Sequence, residues 1–269
     1  DLVEISNRYL NRDLFTSKSR SETSFILTSS DNSILKDTSR YRVYEPALRL
    51  AGARTSYFHN SIGGYHGAKP RRYEEVFEMF ETLQREEILN ILNVKYVIYE
   101  SEDGLLKPLV NRENLGNAWF IESLVSTKTP DESYQKLATI DFSKTAVSES
   151  LLIKALPKIY AKDSLATIKL ISNKPGNLKY KSFSSEDAFV VFSEMHYPWG
   201  WISMIDGVEK SHYNVNYILR GIPIPKGTHT IEFKFIPPVV RLGGIIQLIS
   251  FLIFMSLLVF GIQNKMKNT

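Results

Sequence analysis

Hydrophobic and polar positions alternate with two different periods along this chain, and the change of period divides it. Residues 1–30 are polar and carry no sustained period, so they read as an irregular lead-in. Asp31-Asn-Ser-Ile-Leu-Lys-Asp-Thr predicts one short helical turn with Asp31 as its cap. Tyr41-Arg-Val-Tyr-Glu alternates as a strand and stops before Pro46. Residues 51–69 have no period and contain four glycines, two histidines and two tyrosines, which makes a loop. Pro70 then opens a helix. Tyr73, Val76, Phe77, Phe80 and Leu83 recur at helical spacing on one face, with Glu74, Glu75 and Glu78 off that stripe. A second helical piece, Glu86 to Leu92, leads into a strand at Asn93-Val-Lys-Tyr-Val-Ile-Tyr. Ala118 to Val125 is a further strand candidate. Thr129-Pro-Asp-Glu has the pattern of a capped helix start with proline in the first turn, predicting a helix through about Ala138. Residues 31–155 therefore read as a mixed α/β unit.

From about residue 156 the period becomes two. Ala166 to Ser172 and Leu178 to Phe183 alternate on either side of an Asn173-Lys-Pro-Gly turn, and Ala188 to Met195 is continuously apolar, as a central strand would be. Trp201 to Ile205, Tyr213 to Arg220, Gly221 to Ile224 and Thr228 to Ile236 follow, with an Asp206-Gly207 tight turn among them. Short strands at this spacing predict an antiparallel β-sandwich over 156–238. After Pro237-Pro238 the pattern changes again. Leu242 to Asn264 has no charged residue, and about 20 apolar residues suffice to cross a hydrocarbon layer of roughly 30 Å. We place a transmembrane helix at 242–262 and a short tail at 263–269. The expected class is α+β: a mixed α/β unit, an antiparallel sandwich and one C-terminal transmembrane helix.

Charge gives that helix a direction. Lys265 and Lys267 follow the apolar run and only Arg241 flanks its other end, so the positive-inside rule puts the tail in the cytoplasm and the body outside it. No leader stands before Asp1, so an exported body is expected to belong to a longer, multi-spanning protein. The chain has no cysteine, which excludes thiolate metal sites and cysteine nucleophiles. The net charge of +4, from 33 basic and 29 acidic residues, is spread along the chain; no basic-aromatic cluster points to nucleic acid.

Several stretches taken together are diagnostic: ARTSYFHNSIGGYHGAKPRRYEE, ILNILNVKYVIYE, NRENLGNAWFIE and FSEMHYPWGWISMIDGVEKSHYNVNYILRGIPIPKGTHTIEFKF. In this order they resemble the YfhO family of bacterial integral membrane proteins, from roughly residue 31 through the final helix. The resemblance implies a multi-pass parent in the bacterial inner (plasma) membrane, with a large extracytoplasmic C-terminal part closed by a last helix. It also implies kinship with C-type glycosyltransferases, which take sugars from polyprenyl-phosphate donors. In that fold the catalytic carboxylates usually lie in the first outer loop, and nothing in this chain corresponds to it. No catalytic residue and no cofactor are therefore assigned to this segment; a divalent cation, if one is used, belongs to the N-terminal part. The implied partners are the bilayer, the N-terminal transmembrane part of the same protein, the polyprenyl-phosphate sugar and an envelope glycan.

Two places offer candidate chemistry. Arg54, Tyr57, His59, Tyr65, His66 and Lys69 gather cations, imidazoles and phenols within sixteen residues, a set able to hold a lipid-linked phosphate and stack on a sugar. Gly63, Gly64 and Gly67 would let backbone amides approach an anion; equally, they serve tight turns. Tyr197, Trp199 and Trp201 are candidates for glycan stacking, for capping the sandwich or for resting among lipid headgroups. Arg220 ends an apolar strand and calls for a carboxylate, with Glu194 and Glu232 as the choices. His59 and His66 lack metal-ligand spacing, GGYHGAK lacks the GK[ST] ending of a phosphate-binding loop, and Glu74, Glu75 and Glu78 read as a solvated helix face. The leading expectation is a region that covers the membrane-embedded site or selects acceptor. The alternative is a non-catalytic envelope glycan- or protein-binding module anchored in the membrane.

Overall fold

The computed structural model describes residues 2–10, 13, 15, 17, 25–65 and 67–267. The chain forms two compact units, Asp1–Asn117 and Ala118–Thr269. The boundary expected near 155 thus falls earlier, for a reason given below.

The first unit begins with helix α1 (Leu2–Tyr9), where the sequence reading expected irregular chain; its Leu2, Ile5 and Tyr9 do recur at helical spacing, though all are exposed. Helix α2 (Ser29–Ile34) follows. Its cap is Thr28, and Asp31 is the third helical residue, reaching back to the Thr28 amide at 2.8 Å in a reciprocal capping box. Strand β1 (Arg42–Tyr44) and helix α3 (Ala53–Phe58) precede the amphipathic helix α4 (Arg71–Leu83) and the short α5 (Glu87–Ile91). Strands β2 (Val94–Glu100) and β3 (Leu106–Val110) complete a sheet of order β1-β2-β3, parallel then antiparallel. Helix α4 buries Val76, Phe77 and Met79, and Phe77 and Phe80 meet Tyr44 edge-on at 5.7 Å.

In the second unit, strand β4 (Ala118–Ile121) and strand β5 (Ser123–Ser126) occupy what reads as one continuous strand. The chain changes partner at Glu122. The amides of Glu122 and Ser123 both donate to Lys144 O, at 2.7 and 2.9 Å, and the ladder breaks there. β5 pairs parallel with β6 (Thr145–Ser148), with helix α6 (Pro130–Leu137) as their crossover. β4 instead joins the sandwich by pairing with β9 (Ala188–Met195), which is why the unit boundary lies at 117. The sandwich strands are β7 (Thr167–Lys174), β8 (Asn177–Ser184), β9 (Ala188–Met195), β10 (Trp201–Ile205), β11 (Val208–Lys210), β12 (Tyr213–Val215), β13 (Leu219–Ile224) and β14 (Gly227–Phe235). One sheet has the order β11-β10-β14-β8-β7 and the other β12-β13-β9-β4.

The inner faces of the two sheets meet in a single core of Leu178, Tyr180, Val190, Phe192, Ile205, Ile222, Ile224, Ile231 and Phe233. The expected antiparallel sandwich is therefore present, with two more strands, β4 and β11, than the sequence placed in it. Ile205 pairs with Val208 across Asp206 and Gly207, both at positive φ (51° and 82°), as a two-residue hairpin turn requires. Asn216 ties the parallel pair to the sandwich: its amide donates to Val147 O at 2.7 Å and its side-chain oxygen accepts from Val147 N at 3.0 Å.

Helix α7 (Pro238–Lys267) leaves β14 after only two residues. Residues Pro238–Asn264 are long and apolar enough to cross a membrane, with a mean hydropathy of 2.6 and no burial against the body. The helix starts four residues earlier than expected and extends into the segment read as a tail. Pro238 sits in its first turn, where its missing N–H costs nothing.

Candidate functional site

The loop read as a candidate ligand site contributes Arg54 and His59 to an interior ion cluster. Helix α3 lies within it, and its Arg54 spans two carboxylates. One guanidinium nitrogen donates to Glu45 Oε2 at 3.0 Å and the other pairs closely with Asp31 Oδ2. His59, at the end of α3, places Nε2 2.9 Å from Asp31 Oδ1, and Thr55 donates to Glu45 Oε2 at 2.7 Å. Asp31, Glu45, Thr55 and His59 are all buried. Burial opposes the charge on Asp31, yet the hydrogen bonds from Thr28 and His59 and the Arg54 cation hold its carboxyl below the usual carboxylate value. Removing two carboxylates from water is costly, and the pairing offsets that cost only because every member has partners.

The five loop candidates among the described residues do not converge on one site. Arg54 and His59 face the interior cluster. Lys69 donates to Leu50 O at 2.9 Å and lines a small cavity of about 290 Å³ with Arg49 and Glu81, themselves an ion pair. Tyr57 is exposed and packs against Phe25 and Phe58, with centroids 5.5 and 4.9 Å away; Tyr65 is 88% exposed. His66 lies outside the described residues. A Cβ on Gly63 would stand 3.0 Å from Arg49 O and Leu50 Cα, so this glycine permits a close backbone approach. Sequence reasoning missed Asp31 and Glu45 as members of the cluster. The Thr28-x-x-Asp31 spacing announces a cap, but no local signal announces a pairing 23 residues away.

A larger groove, about 780 Å³, opens elsewhere in the first unit. Tyr44, Phe80, Leu89, Val97, Leu109 and Val110 give it apolar surface, and Asn90, Asn111, Arg112, Glu86, Glu87 and Glu113 supply polar groups. Asn111 is fixed by donating to Asn90 Oδ1 at 2.8 Å and to Val94 O at 2.9 Å. A volume of this size is typical of sites for small organic molecules. Among the described residues no group of three or more acidic or histidine side chains is placed to hold a metal.

In the second unit, Arg220 is buried and its guanidinium carbon lies 3.9 Å from the centroid of the Trp201 ring, while Nε donates to Met195 O at 2.8 Å. One face of Trp201 is thereby occupied. Glu232, one of the two partners considered for Arg220, pairs with Lys179 at 2.9 Å and Lys234 at 3.3 Å. Nearby, His212 accepts or donates a hydrogen bond with Ser203 Oγ at 2.9 Å and meets His196 edge-on. Burial, then the neighbouring His196 and Arg220, push His212 down to about 4. Tyr197 and Trp199 are exposed, but their planes cross at 75°, so they present no common flat face.

An antiparallel sandwich that runs without a linker into a long apolar helix defines a membrane-anchored protein. Residues 139–247 match the family model described as bacterial membrane protein YfhO. The match runs from just before β6, through the sandwich, into α7 as far as Gln247, and the YfhO relationship read from the sequence holds over that stretch. No match was found among curated proteins, nor among solved structures.

Proposed function

We propose that this chain is the C-terminal extracytoplasmic region of a multi-pass inner-membrane protein that transfers a sugar from a polyprenyl-phosphate donor to an envelope glycan. In this reading the chain contributes acceptor binding and a cover over the membrane-embedded site, and the acid-base chemistry comes from the N-terminal part. The observation that carries it is the continuity of sandwich and anchor. With only Ile236 and Pro237 between β14 and α7, the second unit is held next to the bilayer, where a lipid-linked donor would be presented. The first-unit groove supplies a place of suitable size for an acceptor.

The experiment is sugar transfer by membranes containing the full-length parent, with and without Leu109→Glu in the groove. Reduced transfer to acceptor with donor binding intact supports acceptor selection; equal transfer by both proteins removes that role. The same groove also supports a second reading, a non-catalytic glycan- or protein-binding module. Binding of envelope glycan by the parent without any transfer would favour it.

A further inference from the structure

The turn between β9 and β10 is built onto the base of the membrane helix. Gly200, at φ 113°, accepts a hydrogen bond at its carbonyl oxygen from Ile236 N at 2.6 Å. A Cβ at Gly200 would stand 2.9 Å from both the Phe235 ring and Pro237 Cα, so turn and chain are in direct contact. Trp201 pairs in register with Phe235, with ring centroids 5.2 Å apart, and Tyr197 lies 6.3 Å from the same ring. Against this packed base, Trp199 is 65% exposed, Ile236 53%, Tyr197 43% and Phe235 40%. Val239 and Val240, in the first turn of α7, continue the same exposed apolar run.

Chain length fixes the depth of this patch. Leu242 to Asn264 spans about 35 Å at roughly 1.5 Å per residue, slightly more than a hydrocarbon layer of roughly 30 Å. Arg241 then lies at the layer's edge, and Pro238 about 4–5 Å beyond it. Phe235 is three residues further, within about 10 Å of Pro238 even if that chain is fully extended. The interfacial layer on each side is about 5–8 Å deep, so the patch is placed in or against it. Aromatic rings with one polar edge, as in Trp and Tyr, favour that layer.

We propose that the turn around Pro198 and the end of β14 form a wedge in the lipid headgroup layer, with Tyr197, Trp199, Phe235 and Ile236 against the bilayer, fixing the angle of the sandwich on its anchor. The occupant is lipid rather than sugar because the patch is continuous with the membrane-spanning helix. Its rings are also crossed rather than coplanar, and Trp201 is covered by Arg220.

The test uses the full chain in phosphatidylethanolamine–phosphatidylglycerol vesicles. The difference in emission between the wild-type chain and Trp199→Phe isolates Trp199. That emission is expected to be blue-shifted, quenched by lipids brominated near the headgroup, and little affected by acrylamide. Acrylamide quenching without bromolipid quenching overturns the proposal, as does protection from acrylamide by soluble envelope oligosaccharide in the absence of bromolipid quenching. A nitroxide at Trp199→Cys gives a second readout. Its collisions with oxygen should exceed those with a water-soluble nickel chelate, the reverse of a nitroxide at Val208→Cys in the exposed β10–β11 hairpin. The same preference for the nickel chelate at both positions also overturns it.

Discussion

Arg54 bridges residues distant in sequence, Asp31 and Glu45, and that bridging makes guanidinium chemistry hard to replace. A lysine at 54 keeps the charge but offers one point of contact where the fork serves two carboxylates. We expect Arg54→Lys to lower the unfolding free energy of the first unit by about 1–3 kcal/mol, because one buried carboxylate loses its partner. Urea unfolding followed by tyrosine fluorescence of that unit checks it, and an unchanged midpoint would mean the cluster carries no stability. His212 supplies a pH dependence of known sign. Its folded value of about 4 lies below its ordinary 6.5, so the neutral ring is the native form. The unfolded chain takes up the proton first as pH falls. Stability from this group is therefore complete above about 6.5 and declines toward pH 4, by about 2–3 kcal/mol after discounting for partial exposure. His212→Gln cannot titrate and should flatten that part of the stability–pH curve, measured by denaturation at a series of pH values. At this scale the sequence announced the right residue types in the 51–69 loop but not their use. The carboxylates that pair with Arg54 and hydrogen-bond His59 come from a capping box and a strand end with no periodic relation to the loop.

Elements were legible where a period was sustained. Helix α4 follows its apolar stripe, with Met79 buried and Leu83 left exposed at the end. The paired strands of the sandwich follow alternation, as in β8, whose Leu178, Tyr180, Ser182 and Ser184 are buried in turn. Strand β3 went unseen because Lys107 and Pro108 break any alternation. The structure places it at a sheet edge, where a proline without an N–H is tolerated. Strand β6 is four residues, too short for a period to register, and β5 was read only as the continuation of β4. Helix α3 was hidden because its six residues lie inside a glycine-rich stretch. Gly221 in β13 shows how closely side chains of the neighbouring strands β9 and β12 fit over one sheet. A Cβ there would run into the Phe189 ring and come within 3.0 Å of Val215 Cγ1. Gly221→Ala should destabilise the second unit by about 1–3 kcal/mol through overpacking. Gly207→Ala, with open space for its Cβ, should cost about 1 kcal/mol, from positive φ alone. Equal losses at the two positions would contradict this account of the sandwich packing.

At the scale of the whole molecule, the membrane helix and the sandwich above it were the most legible features, because length and lack of charge suffice for one and alternation for the other. The YfhO match over residues 139–247 falls on that same stretch. The division of the chain was less legible, since β4 looks local in sequence and becomes part of the sandwich only through its pairing with a strand some 70 residues later. The central claim is that the helix anchors a body on the outer side of the membrane. The absence of native cysteine makes a direct measurement possible. Single cysteines are introduced as Glu186→Cys, in the exposed β8–β9 turn, and as Thr269→Cys, and each is treated with a membrane-impermeant maleimide in spheroplasts. The account predicts labelling at 186 in intact spheroplasts and at 269 only after permeabilisation; labelling of 269 from outside, or protection of 186 until the membrane is opened, would contradict it.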